Sequence, residues 1–264
     1  MKGCLIAMEG IEGSGKSTQA EMLQTWLRHR GYSVIFRKEP TDAPIGKIVH
    51  AVLKKELQVA DEAIPLLFAA DRADDTRRFI GPALDKGAIV VLDRYTYSSL
   101  AYQSSGMAVP FDIRWLRDIN KFALSPDIVF YLDVEPEAGL RRVTGFGRLQ
   151  DDTYFEDVKI QRRIREAYYQ VLGLSKPSSL VRKLKTNGIP GSILDSVKIS
   201  TIEGRTLVIG LDGMDPKGRI HEQIRTFVDW LITHKRSAVK RGRSPPKGVA
   251  LLSQFTPSRH REQD

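Results

Sequence analysis

The feature that most constrains this chain is a Gly-rich loop set between an apolar run and a helical stripe. Gly10-Ile11-Glu12-Gly13-Ser14-Gly15-Lys16-Ser17 fits the pattern G-x-x-x-x-G-K-[ST]. Residues 4–8, Cys-Leu-Ile-Ala-Met, precede it as a short apolar run, and Ala20, Leu23 and Leu27 follow it at helical spacing. Strand, loop and helix in that order is the context in which such a loop binds phosphate. Glycines let backbone N–H groups converge on phosphate oxygens, and the helix N-terminus adds a favourable dipole. The pattern predicts that Gly10, Ile11, Glu12, Gly13, Ser14, Gly15, Lys16, Ser17 and Thr18 form an ATP-binding loop. Lys16 reaches the β- and γ-phosphates, and the Ser17 hydroxyl ligates Mg²⁺.

The rest of the chain repeats the alternation. Further apolar runs lie at 33–36, 88–92, 128–132 and 206–209, each near-continuous rather than alternating, as in parallel strands covered on both faces. Helical stripes lie between them: Ile45, Ile48, Val49, Val52 and Leu53; Trp115, Ile119, Phe122 and Ala123; Ile164, Ala167, Tyr168, Val171 and Leu172; Ile220, Ile224, Phe227, Val228 and Leu231. The expected fold is α/β, a doubly wound five-stranded parallel sheet with helices on both faces. One domain spans 1–234. Residues 173–204, with Pro177, Asn187-Gly188 and Pro190-Gly191, break the pattern as a hairpin or helical insertion.

The net charge of +9 raises the question of nucleic-acid binding. Residues 235–264 hold eight Lys/Arg against two Asp/Glu, a net of +6, which leaves +3 for everything before them. That segment reads as a basic, disordered tail whose removal is tolerated. Phe255 is its only stacking residue, and no nucleic-acid module is recognised, so no specific nucleic-acid partner is expected. No stretch approaches the roughly 20 apolar residues needed to span a bilayer. The start reads as a strand rather than a signal peptide, and a single Cys4 allows no internal disulfide, which fits a cytoplasmic location.

The run at 88–92 leads into Asp93-Arg94-Tyr95. A carboxylate at the carboxyl end of a buried strand, beside the phosphate loop, is placed to hold Mg²⁺ or its waters. Arg94 offers a planar fork suited to a phosphate.

Val91-Leu92-Asp93-Arg94-Tyr95-Thr96-Tyr97-Ser98-Ser99-Leu100-Ala101-Tyr102-Gln103 resembles the signature segment of thymidylate kinases. The phosphate loop from Glu9 to Gln19, Glu39-Pro40-Thr41, Leu66-Leu67-Phe68-Ala69-Ala70-Asp71-Arg72, Leu132-Asp133-Val134-Glu135-Pro136-Glu137 and Arg162-Arg163-Ile164-Arg165-Glu166-Ala167-Tyr168 are similar to other pieces of that family. The resemblance covers 1–172 and resumes at about 206–232. It implies transfer of the γ-phosphoryl of ATP to dTMP, with Mg²⁺, in a homodimer. It further implies that Phe68 stacks on thymine, Arg72 bonds the base edge and Arg94 binds the acceptor phosphate. Glu12 lies near the sugar 3′-hydroxyl, Tyr102 crowds the 2′ position, and Gln103 lies near the base. Some members carry an Arg inside the phosphate loop. Gly13 and Ser14 stand there instead, so the chain resembles the type whose lid, here about 141–155, supplies the transition-state arginine. Arg141, Arg142 and Arg148 are the candidates, with Arg148 first and Arg142 second.

The sequence departs from the family in three places: Lys38 stands where Arg is common, 147–152 matches loosely, and 173–204 is long. Two kinds of alternative stand beside dTMP phosphorylation. A deoxynucleoside kinase, or another monophosphate kinase, shares the phosphate loop and the acidic strand end. A nucleoside has no phosphate to clamp, so Arg72 and Arg94 favour a monophosphate. The remoter alternative is a nucleic-acid-binding P-loop ATPase.

Overall fold

The strand at Cys4–Glu9 (β1) shows why the apolar runs are unbroken. All six of its residues are buried. Cys4, Ile6 and Met8 point into one hydrophobic cluster, and Leu5 and Ala7 point into another on the opposite face of the sheet. Each face is covered, so neither half of the alternation is free to be polar.

The computed structural model describes residues 3–145, 157–174, 178–203 and 205–240. Elements run in the order β1, α1 (Lys16–His29), β2 (Val34–Lys38), α2 (Pro44–Leu53), α3 (Ala63–Asp75), a π-helical turn (Thr76–Ile80), α4 (Gly81–Asp85) and β3 (Ile89–Asp93). They continue with α5 (Thr96–Ser105), α6 (Ile113–Ile119), β4 (Ile128–Asp133), α7 (Pro136–Gly145), α8 (Val158–Leu172), α9 (Ser178–Thr186), α10 (Gly191–Asp195), β5 (Lys198–Ile202), β6 (Thr206–Asp212) and α11 (Lys217–Lys240). Among the described residues the sheet has six strands, ordered β2-β3-β1-β4-β6-β5. The first five pair in parallel, which is the sheet expected from the sequence.

The sixth strand corrects that expectation. β5 pairs antiparallel with β6, Ile199 opposite Ile209, and Glu203, just past β5, takes a φ of 51°. It comes from the segment 173–204, which therefore combines both forms the sequence left open, two helices and half of a hairpin. Leu184, Ile189, Leu194 and Ile199 are buried in the same cluster as α1 and α11. The insertion thus extends the main core and covers a sheet edge. Gly173, at φ 58°, ends α8 and lets the chain turn into it.

Two other boundaries differ from the sequence reading. The stripe expected to reach Phe122 and Ala123 stops at Ile119, and Phe122 is 67% exposed. The last helix runs on to Lys240 rather than ending at His234. Lys235, assigned to the tail from sequence, is 5% exposed; its Nζ lies 2.6 Å from Asp127 Oδ2 and donates to the Gly3 carbonyl at 3.0 Å. Residues 241–264, the rest of the expected tail, lie outside the described residues. Among the described residues, no helix is long and apolar enough to cross a membrane.

Candidate active site

β1, β3 and β4 end side by side, so the loops after them share one rim of the sheet. This is where ligands of open α/β sheets bind. The phosphate loop joins β1 to α1. Gly15 caps α1 at φ 94° with no side-chain cap, which leaves the first-turn N–H groups to a ligand. Gly13, at φ 67°, has a second reason to be glycine: a Cβ there would lie 2.0 Å from the Gly139 carbonyl oxygen. The first turn of α7 therefore packs directly on the loop.

Lys16 Nζ donates to the Ile11 carbonyl at 2.6 Å and to Ser14 Oγ at 3.2 Å. Burial, with Arg94 nearby, pulls its pKa down to about 8. Ser17 Oγ donates to Asp93 Oδ2 at 2.5 Å, while the buried Asp93 Oδ1 has no hydrogen-bond partner. A hydroxyl beside an unsatisfied buried carboxylate oxygen suits a hard divalent cation carried in with a nucleotide. Among the described residues no cluster of three or more His, Cys, Asp or Glu could hold a resident metal by itself.

Arg94, just past β3, adopts a φ of 67°, uncommon for a side-chain-bearing residue, and its N–H donates to the Met8 carbonyl at 3.0 Å. That turn carries the guanidinium back over the loop. It ion-pairs with Glu12, donates to the Gly10 carbonyl at 3.3 Å and lies 4.9 Å from the Tyr102 ring centroid. Burial alone would raise the Glu12 pKa, but Arg94 and Lys16 outweigh it and hold the carboxylate ionised. Tyr102 Oη donates to Glu12 Oε1 at 3.2 Å. Behind them the buried Glu9 accepts from the N–H groups of Tyr95 and Ser98, from Ser98 Oγ and from Tyr168 Oη.

A cavity opens beside the phosphate loop. Glu12, Arg94, Ser98 and Tyr102 line it, and so do Phe68, Arg72, Ser99 and Gln103. All six residues predicted for the acceptor are therefore brought together. Phe68 is half-buried with its ring on the wall, and Gln103 is buried with Oε1 lacking a partner. Arg72 is 2% exposed and is held by protein acceptors: Nε and Nη2 meet Glu39, Nη2 donates to Ser99 Oγ at 3.1 Å, and Nη1 donates to Asn120 Oδ1.

The predicted arginines fare differently. Arg142 on α7 donates to the Gly213 carbonyl through both Nη atoms at 3.1 Å and to the Gly13 carbonyl at 3.4 Å. It joins the loop after β6 to the phosphate loop. Arg141 is exposed on the same helix, and Arg148 lies outside the described residues. Sequence reasoning missed Glu39, Ser99 and Asn120 around Arg72, and Gln161, whose Oε1 accepts from the Glu12 N–H at 3.3 Å. Glu39-Pro40 and Ser99 lay within recognised segments; nothing in the sequence marked Asn120 or Gln161.

A phosphate loop, an adjoining acidic strand end and a cavity with its own cations define a P-loop kinase with a separate acceptor site. The family model described as thymidylate kinase matches residues 8–185. The chain is 39% identical over 191 residues to a probable thymidylate kinase of Pyrococcus horikoshii, covering 70% of this chain and 91% of that protein. It is 39% identical over 188 residues to a probable thymidylate kinase of Thermococcus kodakarensis, covering 68% and 89%. With a thymidylate kinase of Halothermothrix orenii it shares 40% over 177 residues, covering 65% and 84%. The chain belongs to the thymidylate kinase family.

Proposed function

We propose that this enzyme transfers the γ-phosphoryl of ATP to dTMP, giving dTDP and ADP, and that the reaction runs in the cavity beside the phosphate loop. The observation that carries the acceptor assignment is a pair of unused groups in that cavity. Arg72 uses four of its five N–H donors on protein acceptors, and Gln103 Oε1 is a buried acceptor with no donor. A spare donor and a spare acceptor complement the carbonyl and ring N–H of a 4-oxo pyrimidine. A 4-amino pyrimidine offers the reverse pattern.

Phe68 supplies the stacking face for such a base. Tyr102 opposes a 2′-hydroxyl with its ring, and Glu12 accepts from the 3′-hydroxyl. The acceptor phosphate, a stronger partner than Glu12, draws the fork of Arg94. Lys16 and the loop N–H groups hold the donor phosphates. Mg²⁺, brought by ATP and held through Ser17 and Asp93, supplies charge neutralisation on the donor phosphates. The remaining cation comes from Arg148. The working form is a cytoplasmic homodimer.

The test is a coupled assay with Mg²⁺ and ATP against dTMP, dUMP, UMP, dCMP and AMP, with each nucleoside as control. dTMP is expected to give the highest kcat/KM, and EDTA to abolish turnover. Turnover of thymidine equal to that of dTMP would overturn the monophosphate assignment.

A further inference from the structure

Arg72 can read a base only if its guanidinium is fixed, because a donor that swings can serve a carbonyl in one pose and move aside for an amine in another. Glu39 grips the Nε and Nη2 side, with Nε at 2.9 Å from Oε2, and Ser99 Oγ takes the other Nη2 hydrogen. Both act on one edge of the planar guanidinium. The one protein acceptor for Nη1 among the described residues is Asn120 Oδ1, from the C-cap of α6.

Asn120 is itself locked. Its Nδ2 donates to the Leu116 carbonyl at 2.7 Å, one turn back. Flipping the amide would set N–H₂ against the guanidinium and carbonyl against carbonyl, two repulsions in a buried site, so only one orientation satisfies both ends. Asn120 is buried and does not line the cavity. It therefore acts on the base only through Arg72.

We propose that Asn120 is a positioning residue for base selection: by anchoring the Nη1 edge of Arg72 opposite the Glu39 edge, it holds the planar guanidinium in one pose at the cavity, where its remaining N–H meets a 4-oxo and repels a 4-amino pyrimidine. The inference rests on the pyrimidine-monophosphate reading given above.

Asn120→Leu, Asn120→Ser and Asn120→Asp, assayed on dTMP and dCMP, test it. Asn120→Asp keeps an oxygen facing Nη1 and should hold the dTMP-to-dCMP ratio of kcat/KM within about threefold of wild type. Leu removes the acceptor and Ser is too short to reach it. Each should lower the ratio about tenfold or more, chiefly through a higher KM for dTMP with kcat little moved. Should the Leu variant fail to fold, Ser and Asp still carry the comparison. A purely structural Asn120 would instead lower melting temperature and reduce activity on both nucleotides alike. An unchanged ratio in Leu or Ser, or an equal fall in Asp, overturns the proposal. A wild-type enzyme inactive on dTMP and dUMP overturns the functional reading itself, and that outcome is visible before any variant is made.

Discussion

Lys16 is buried in the loop it serves, and its lowered pKa has a consequence for donor binding. Below about pH 8 the amine is protonated and meets the phosphates as a cation. Above that, the free enzyme holds a neutral amine, and ATP must draw in a proton on binding. The Kd for ATP should therefore be nearly flat below about pH 8 and rise toward about pH 9.5, and Lys16→Met should erase that rise. Isothermal titration across this range decides it; a flat wild-type profile would refute it. Arg142 and Arg148 separate by the same kind of argument. Arg142 is committed to the Gly213 and Gly13 carbonyls, so Arg142→Ala should raise the KM for ATP about five- to tenfold while kcat holds within about tenfold. Arg148→Ala should lower kcat by about 10²–10⁴-fold with a smaller effect on KM for dTMP. Near-normal kcat in both single variants and the double variant would remove the lid arginine from the mechanism. At Tyr102, replacement by Ala should relax rejection of ribose monophosphates by on the order of 1–3 kcal/mol, whereas Phe should change it little. Unchanged deoxyribose preference in Tyr102→Ala would reduce that ring to core packing.

At the scale of elements, α11 and the insertion are the informative pieces. α11 closes one face of the sheet, and Lys235 at its far end reaches the buried Asp127, whose Oδ2 also accepts from the Leu5 N–H at 2.9 Å. One carboxylate thus ties the last helix to the first strand. Removing one partner of a buried pair typically costs about 3–5 kcal/mol. Truncation after His234 should lower the melting temperature by roughly 10 °C, whereas truncation after Lys240 should leave it nearly unchanged. Equal melting temperatures for the two truncations would refute the clamp. Burial already raises the Asp127 pKa, and Lys235 opposes that rise. In Lys235→Met the carboxyl should therefore rise further, so that stability falls as pH climbs through that raised pKa and the deficit shrinks in acid, where a protonated Asp127 needs no cation.

For the whole molecule, the expected assembly is a homodimer eluting near twice 29.7 kDa in size-exclusion chromatography with light scattering; a monomer across the working concentration range would refute it. What the sequence determined by itself were the features whose physics is local. β1, β3, β4 and β6 were legible because a strand buried on both faces must be apolar at nearly every position, the edge strand β2 from its shorter apolar run, and the phosphate loop because its glycine spacing lets N–H groups converge. The acceptor residues at 68, 72, 102 and 103 were found through resemblance rather than periodicity, Arg94 already from its place at the acidic strand end, and the cavity gathers all of them with Glu12. Tertiary structure decided the rest. β5 is polar at three of its five positions and makes sense only beside β6. Lys235 looked like tail charge because its partner lies at residue 127, and Asn120 carried no signal because its value is to hold an arginine 48 residues away. Gly13 fills a variable position of the phosphate-loop motif, and the contact with Gly139 that requires a glycine there depends on how α7 packs. A chain announces the groups whose chemistry is set by their neighbours in sequence; the groups that position them across the fold are defined by distance, and distance exists only once the core has formed.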